Sequence, residues 1–405
     1  MRDLDLFQMA LGLTSPWFVQ GCTFEPDKRH LEIKIDFTPG GQFACPVCGQ
    51  GACKAHDTEE KRWRHLNFFE HRCDLVARTP RVKCEKCGVH QVAVAWARPG
   101  SGFTLLFEAF AMLLARQMPV AAAAQIVGEH DTRLWRLIQH HVDEVRAAED
   151  WSEVKNIGID ETSRKSGHNY ITVVVDMDAS RVLYATAGKD AATVEAFAQE
   201  IKQHQGDPAQ IEEACCDMSP SFIKGLGAQF ENAEITFDKF HVMKLIGTAV
   251  DEVRRAEQKE RPELKGSRYV WLFNPDKLKA EYEEMLAGLS LPKLNLKTAR
   301  AYQMRINFKQ FYNQDPVFAE DFLKRWYFWA THSRLEPMIK AARTLKEHWG
   351  GVLRWFESGL TNGILEGINS LIQAAKAKAR GYRSTRYLIT MVYLIAGKLE
   401  FNLPT

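Results

Sequence analysis

Residues 361–386 read TNGILEGINSLIQAAKAKARGYRSTR, and the rest of the chain is organised around this stretch. Asn362 and Gly363 are turn and cap residues. Leu365, Ile368, Leu371 and Ile372 follow at helical spacing, which predicts a helix. Glu366, Asn369, Gln373, Lys376 and Arg380 fall at i, i+3, i+7, i+10 and i+14, a single polar line headed by a carboxylate and ended by cations. A solvated amphipathic helix has the same pattern. What sets this one apart lies upstream, where two strand-like runs, NIGIDETS and IEEACCDMS, each carry a lone aspartate, Asp160 and Asp217.

Outward from those aspartates the pattern is rich in strands. NIGIDETS, HNYITVVVDM and RVLYATAG are three β-rich runs, the last two joined by a tight turn at Asp178, Ala179 and Ser180. Asp190 caps a helix through Val194, Phe197 and Ile201, which residues 206–208 terminate. IEEACCD is a fourth strand, residues 220–227 a short helix and AEITFD a fifth strand. The order β-β-β-α-β-α-β is that of an α/β ribonuclease-H-like fold, whose first and fourth strands lie side by side. That would make Asp160 and Asp217 neighbours.

Each aspartate alone also suits a strand end or a helix cap. Three carboxylates drawn together repel one another unless a divalent cation fills the gap. Phosphodiester cleavage calls for such ions, to neutralise charge on the phosphoryl oxygens and to activate a water or hydroxyl. Asp160, Asp217 and Glu366 are therefore the candidate catalytic set and the candidate ligands of Mg²⁺ or Mn²⁺. Asp238 and His241, in FDKFHVMK just past the fifth strand, are possible accessory groups touching metal or DNA, or parts of a structural turn. Between Asp217 and Glu366 lie 148 residues, more than the fold needs. Residues 250–350 are rich in helix formers and hold Trp271, Trp326, Trp329 and Trp349, so an all-α insertion with a tryptophan-containing core is expected.

Nine cysteines in a 405-residue chain could imply disulfides, but four of them form two Cys-x-x-Cys-Gly knuckles, Cys45/Cys48 and Cys84/Cys87. Four thiolates suit one tetrahedral, structural Zn²⁺, and the glycines let the backbone turn under it. Cys53, His56, Cys73 and His90 are lesser candidates for ligands. The segment between the knuckles alternates enough for two or three strands, the layout of a zinc ribbon. Net charge is only +2, which excludes a polycation, yet residues 61–90 hold eight Lys or Arg against three acids. Arg62, Arg64 and Arg81, with Trp63 and Phe68 among them, would suit a phosphate backbone or a solvated basic face.

After an apolar-rich helix over residues 103–118, stopped by Pro119, a helix of about eight residues, a turn at Gly128 and an amphipathic helix opening at Asp131 or Thr132 form a helix-turn-helix pattern. A plain helical hairpin reads the same way. Thr132, Arg133, Arg136 and Gln139 are its candidates for the DNA groove. Residues 1–35 look like a lead-in with the strand HLEIKIDF at the end. No secretory signal opens the sequence, and the longest late apolar run, residues 387–396, is about half a membrane span, so a cytoplasmic protein with no membrane role is expected.

Zinc ribbon, helix-turn-helix, GIDE, CCDMS, TFDKFHV and NGILEGINSLIQAAKAKARGYR together resemble the ISL3 family of insertion-sequence transposases from about Cys45 to the C-terminus. The resemblance implies a D-D-E site of Asp160, Asp217 and Glu366 that hydrolyses DNA at element ends to free a 3′ hydroxyl, which then attacks target DNA. It also implies zinc on Cys45, Cys48, Cys84 and Cys87, terminal inverted repeats of double-stranded DNA bound by ribbon and helix-turn-helix, and a homodimer or higher oligomer. Many D-D-E enzymes carry Lys or Arg seven residues after the Glu, where this chain has Gln373, and Lys376 one turn on could make that contact. With Asn369, Gln373, Lys376, Arg380 and Arg383 the final helix then faces DNA. The expected organisation is multidomain: lead-in and zinc ribbon over 1–98, all-α helix-turn-helix over 99–150, catalytic domain over 151–249 and 351–405, helical insertion over 250–350. A zinc-dependent regulator without chemistry, or a nuclease of the same fold without strand transfer, would share these features.

Overall fold

The computed structural model describes residues 3–165, 169–275, 278–360 and 363–404, so the expected cap at Asn362 lies outside the described residues. They fall into two compact units, one from residues 1–146, 375–382 and 399–405, the other from 147–374 and 383–398.

The first unit opens with α1 (Asp3–Ala10) and builds a six-stranded sheet from β1 (Trp17–Glu25), β2 (His30–Phe37), β3 (Gln42–Phe43), β4 (Cys53–Phe68), β5 (His71–Cys84) and β6 (Gly88–Gln91). The strands run in the order β1-β2-β5-β4-β3, with β6 on β5. Residues 1–35 are more than a lead-in. β2 pairs in parallel with β5, matching Leu31 to Cys73, Ile33 to Leu75 and Ile35 to Ala77, and all six side chains are buried. The period-two apolar pattern drives this, since one face of each strand must be covered. Trp17, Trp63 and Trp96 pack edge to face at 5.1–5.6 Å beneath it.

Three helices complete the unit: α2 (Leu105–Gln117), α3 (Val120–Val127) and α4 (Asp131–Ala147). Thr104 caps α2 by accepting from the Phe107 amide. Gly128 ends α3 at φ +67°, a left-handed conformation that glycine adopts without strain. Val120, Ala123, Ala124 and Val127 on α3 are buried, as are Leu134, Leu137 and Ile138 on α4, which is the apolar periodicity read from the sequence.

In the second unit β7 (Asn156–Lys165), β8 (Asn169–Asp176), β9 (Arg181–Ala187), α5 (Ala191–Gln203), β10 (Glu213–Cys216), α6 (Pro220–Gln229) and β11 (Glu234–Phe237) follow in the expected order. The sheet order is β11-β10-β7-β8-β9, so the first and fourth strands are neighbours, and they are parallel. Asp190 caps α5, and the Asp176 carboxylate holds the β8–β9 turn by accepting from the Asp178 and Ala179 amides.

Then come α7 (Lys239–Glu257), α8 (Arg268–Leu272), α9 (Ala280–Leu289), α10 (Lys297–Lys309), α11 (Pro316–Thr331), α12 (Glu336–Glu347), α13 (Trp349–Leu353) and α14 (Trp355–Ser358). Trp271 and Trp326 are core residues, while Trp329 is 40 % exposed. A single helix, α7, runs through residues 249 and 250, where a boundary was expected.

Two helices close the chain, α15 (Gly363–Lys378) and α16 (Thr385–Ala396). Tyr393 of α16 is tied to β9, its hydroxyl accepting from the Ala185 amide. Among the described residues no helix is long and apolar enough to cross a membrane.

Candidate functional site

Parallel pairing fixes where the acids lie. β10 and β7 match Ala214 to Ile157 and Cys215 to Gly158, so two residues further on Asp217 and Asp160 share a rung. β11 pairs Phe237 with Cys216, which sets Asp238 on the same rung one strand out, its amide donating to the Cys216 carbonyl at 3.1 Å. Asp217 and Asp238 thus follow the ends of β10 and β11 directly, beside Asp160 in the middle of β7.

Their surroundings differ. Asp160 has a pKa pushed up to about 6, chiefly by burial and further by the like charges of Asp217 and Asp238, against the opposing pull of the Glu161 amide and His241. Asp217 accepts from the Ser219 amide at 2.9 Å. Asp238 is buried and spent on capping α7, accepting from the Phe240 and His241 amides, and its Oδ2 lies 2.8 Å from His241 Nδ1. That bond leads in raising the His241 pKa; burial opposes it, and the charges of Asp238, Asp160 and Asp217 add to it. Four ionisable groups meet here, three of them acids against the one imidazole of His241. A divalent cation on oxygen ligands would balance the acids.

α15 reaches this rung through a matched register with β7. Leu365 packs on Gly158, Asn369 Nδ2 donates to Asp160 Oδ2 at 2.6 Å, and Gln373 Nε2 donates to Thr162 Oγ1 at 2.7 Å and to the Ser163 carbonyl at 3.0 Å. Four helical residues advance about 6 Å and two strand residues about 6.6 Å, so the helix tracks the strand. Gly158 makes the approach possible. A Cβ there would lie 2.6 Å from Met177 Sδ and 2.8 Å from Leu365 Cδ1. Glu366 stands on the Asn369 face one turn earlier and is exposed.

Asp160, Asp217 and Glu366 are not closed into one ligand shell. Among the described residues, the groups of three or more whose ligand atoms all lie within 4.8 Å of one another are Cys45/Cys48/Cys84/Cys87 and His140/His141/Glu144.

The cysteine group fits a structural zinc. Backbone amides of both knuckles hold thiols down, those of Cys48 and Val47 acting on Cys45 and those of Cys87 and Lys86 bringing Cys84 to about 7. Gly49 at φ +71° and Gly88 at φ +87° make the two turns. Cys53, His56, Cys73 and His90 stand outside the group.

The expected DNA contacts divide. Arg62 bonds Glu32 at 2.6 Å and Arg81 bonds Asp57 at 2.6 Å, both half-exposed. Arg64 is a correction. It is 3 % exposed, donates to the carbonyls of His65, Cys73 and Val127 and to Asn67, and lies 3.6 Å from Glu129, so it braces the sheet rather than facing solvent. Arg133 pairs with Glu129 and covers the Phe103 ring at 4.3 Å, Thr132 bonds His130, and the Gln139 amide nitrogen is buried, which leaves Arg136 as the exposed member of that set. Asn369 and Gln373 are likewise turned to β7, while Arg380 and Arg383 are exposed and Lys376 is intermediate. The sequence reading missed Gly158 and Thr162. A glycine inside a strand was the available signal for Gly158.

A transposase model matches residues 157–392, the segment holding Asp160, Asp217, Asp238 and Glu366, and it defines the class as insertion-sequence transposases. The helix-turn-helix model of transposase family ISL3 matches 92–142, and the zinc-finger model of transposases IS204/IS1001/IS1096/IS1165 matches 41–87. The chain belongs to the ISL3 family of transposases. Among its relatives, the transposase for insertion sequence element IS1557 of Mycobacterium tuberculosis is 26 % identical over 444 aligned residues, covering 100 % of this chain and 98 % of that protein. The transposase for insertion sequence element IS1001 of Bordetella parapertussis is 29 % identical over 387 residues, covering 91 % and 92 %.

Proposed function

We propose that this protein moves its own insertion sequence by cutting DNA at the element ends and joining the freed 3′ hydroxyls to target DNA. The observation that carries the reading is the shared rung of Asp160 and Asp217 with α15 bonded to Asp160 through Asn369. The catalytic domain, 151–249 with 351–405, is then ribonuclease-H-like, and its helical segment over 250–350 is an insertion. Asp160, Asp217 and Glu366 would hold Mg²⁺ or Mn²⁺, which when bound neutralises charge on the phosphoryl oxygens and acidifies the attacking water or hydroxyl.

The residues themselves do three things. Asp160 presents a carboxylate from within β7 and Asp217 from just past β10, Asn369 orients Asp160, and Gln373 pins α15 so that Glu366 is carried over the rung. Exposed basic groups of the ribbon and of the helix-turn-helix, Arg62, Arg81 and Arg136, with the partly buried Arg133 beside them, bind the terminal inverted repeats, with zinc holding the ribbon over 1–98 and the helices over 99–150 beside it in sequence. Arg380 and Arg383 add phosphate contacts after the Glu366 helix. Two ends must be brought together, so the working form is a homodimer or larger, acting on the bacterial nucleoid in the cytoplasm.

The test is a cleavage and joining assay with purified protein, Mg²⁺ and labelled DNA from the flanks of its own gene, run with parent and Asp217→Ala. Cuts that need both Mg²⁺ and Asp217, with labelled ends joined into a plasmid, are expected, and the variant should lose at least about 1,000-fold in rate while keeping end binding. Specific binding without cutting under any divalent metal would identify a regulator instead, and cutting without joining a nuclease.

A further inference from the structure

Directly after the Asp238 cap, an open cleft of about 810 Å³ runs along α7, bordered by α8 and α10. Among the described residues that line it, seven of fourteen are Lys or Arg and one, Asp251, is acidic, in a chain whose net charge is only +2. Buried Asp251 gathers three of the cations, Arg254 at 2.8 Å, Arg255 at 3.4 Å and Arg268 at 3.7 Å, so one negative charge holds three positive ones. On the floor, buried Arg305 donates to the Leu272 and Phe273 carbonyls and to Asn274 Oδ1, neutral partners among the described residues. Burial lowers its pKa.

Gly247 sits on the same floor in the middle of α7. A Cβ there would meet only Arg305 Nε and Leu272 Cδ2, both at 3.9 Å, which is ordinary contact. Internal packing therefore does not require glycine, and glycine weakens a helix interior. Open space at this point favours something lying in the cleft. The exposed ring of Phe240 at its edge offers a face for stacking.

We propose that this cleft carries a DNA backbone to or from the catalytic acids, an inference that rests on the reading of those acids as a phosphodiester site. From Lys239 to Arg255 the helix advances about 24 Å, the length of roughly seven phosphates of one B-form strand. Fixed guanidinium groups short of counter-charge suit phosphate oxygens. Flanking DNA at the element end and target DNA share this chemistry.

The experiment measures binding by the full-length, zinc-loaded protein in magnesium-free buffer, where no cutting intervenes. Parent and a Lys244→Gln/Arg255→Gln/Arg268→Gln variant are titrated with salt on an end duplex that includes its flank, and then in capture of a plasmid duplex by the pre-formed end complex. Each lost phosphate contact removes about 0.9 from the slope of log affinity against log salt, so the variant should lose about 2 to 3. A loss on the end duplex assigns the cleft to the flank, and a loss only in plasmid capture assigns it to the target. Unchanged slopes in both overturn the proposal. Arg254 stays on Asp251 in this variant, which preserves the fold. Gly247→Leu, which fills the floor and favours the helix, should weaken the same binding at least fivefold without lowering the melting temperature; unaltered binding would also overturn it. Because no chemistry is read, continued cleavage by Asp217→Ala would sink the catalytic assignment without touching this result.

Discussion

The two units each gather metal-ligand side chains, and they do so in opposite ways. In the first, four thiol sulfurs already lie within 4.8 Å of one another under two glycine turns, with backbone amides directed at them. In the second, three aspartates share one level of neighbouring strands, but Glu366 arrives on a separate helix and the carboxylates stay open. A closed four-sulfur shell leaves no position for a substrate, so its ion belongs to the fold. An open carboxylate set leaves room for phosphate oxygens and stores repulsion until an ion comes. The first arrangement adds stability, and the second, on the proposed function, gives up stability for chemistry.

The largest effect that could break this contrast comes from the thiols. Cys84→Ser should release the zinc and lower the melting transition of the first unit by roughly 10 °C or more, with loss of end binding, because folding of such a ribbon is coupled to its metal. Zinc analysis and calorimetry read this directly. Full zinc content in the variant would remove Cys84 from the shell.

An acid should behave with the opposite sign. Asp160 is held above its ordinary pKa, at about 6, so between about pH 4 and 6 the folded chain binds more protons than the unfolded one and stability falls as pH rises through that window. Asp160→Asn removes the penalty. In magnesium-free buffer the variant should be more stable than the parent by about 1–2 kcal/mol above pH 6, with the gap closing towards pH 4. Added Mg²⁺ should stabilise the parent and leave the variant unmoved, and cleavage should be lost. A destabilised variant at pH 7 would show that Asp160 is a structural partner of Asn369 rather than a strained ligand.

Much of this contrast was legible before any coordinates. Knuckle spacing gave the sulfur shell because Cys-x-x-Cys-Gly carries its own turn, and the strand order placed Asp160 beside Asp217 because parallel pairing of first and fourth strands sets their rung. What stayed hidden depends on partners distant in sequence. Arg64 reads like its neighbours in a basic strand, yet it is buried because the Val127 carbonyl and Glu129 come from the far side of the fold. β1 and β2 read as a lead-in because β5, the strand that joins β2 to the rest of the sheet, lies about 40 residues on. The polar line of α15 reads as a DNA face because periodicity says which residues share a side of a helix, and not what that side meets.

That line also supplies the smallest and sharpest test. Gln373 occupies the position where the family pattern often has a cation, and its amide is committed to Thr162 and Ser163 of β7. If its work is to pin α15, Gln373→Ala should cost about 1 kcal/mol of stability, the usual net value of such bonds. The same variant should slow cleavage more than it weakens end binding, because Glu366 loses its registration over Asp160. Gln373→Lys separates the two roles. A pinning residue replaced by lysine loses its bonds and lowers stability by a similar amount with end affinity unchanged. A phosphate-contacting position would instead gain affinity, with a salt slope about 0.9 steeper. Steeper binding at unchanged stability would return Gln373 to the DNA face and leave Asn369 as the tie between α15 and β7.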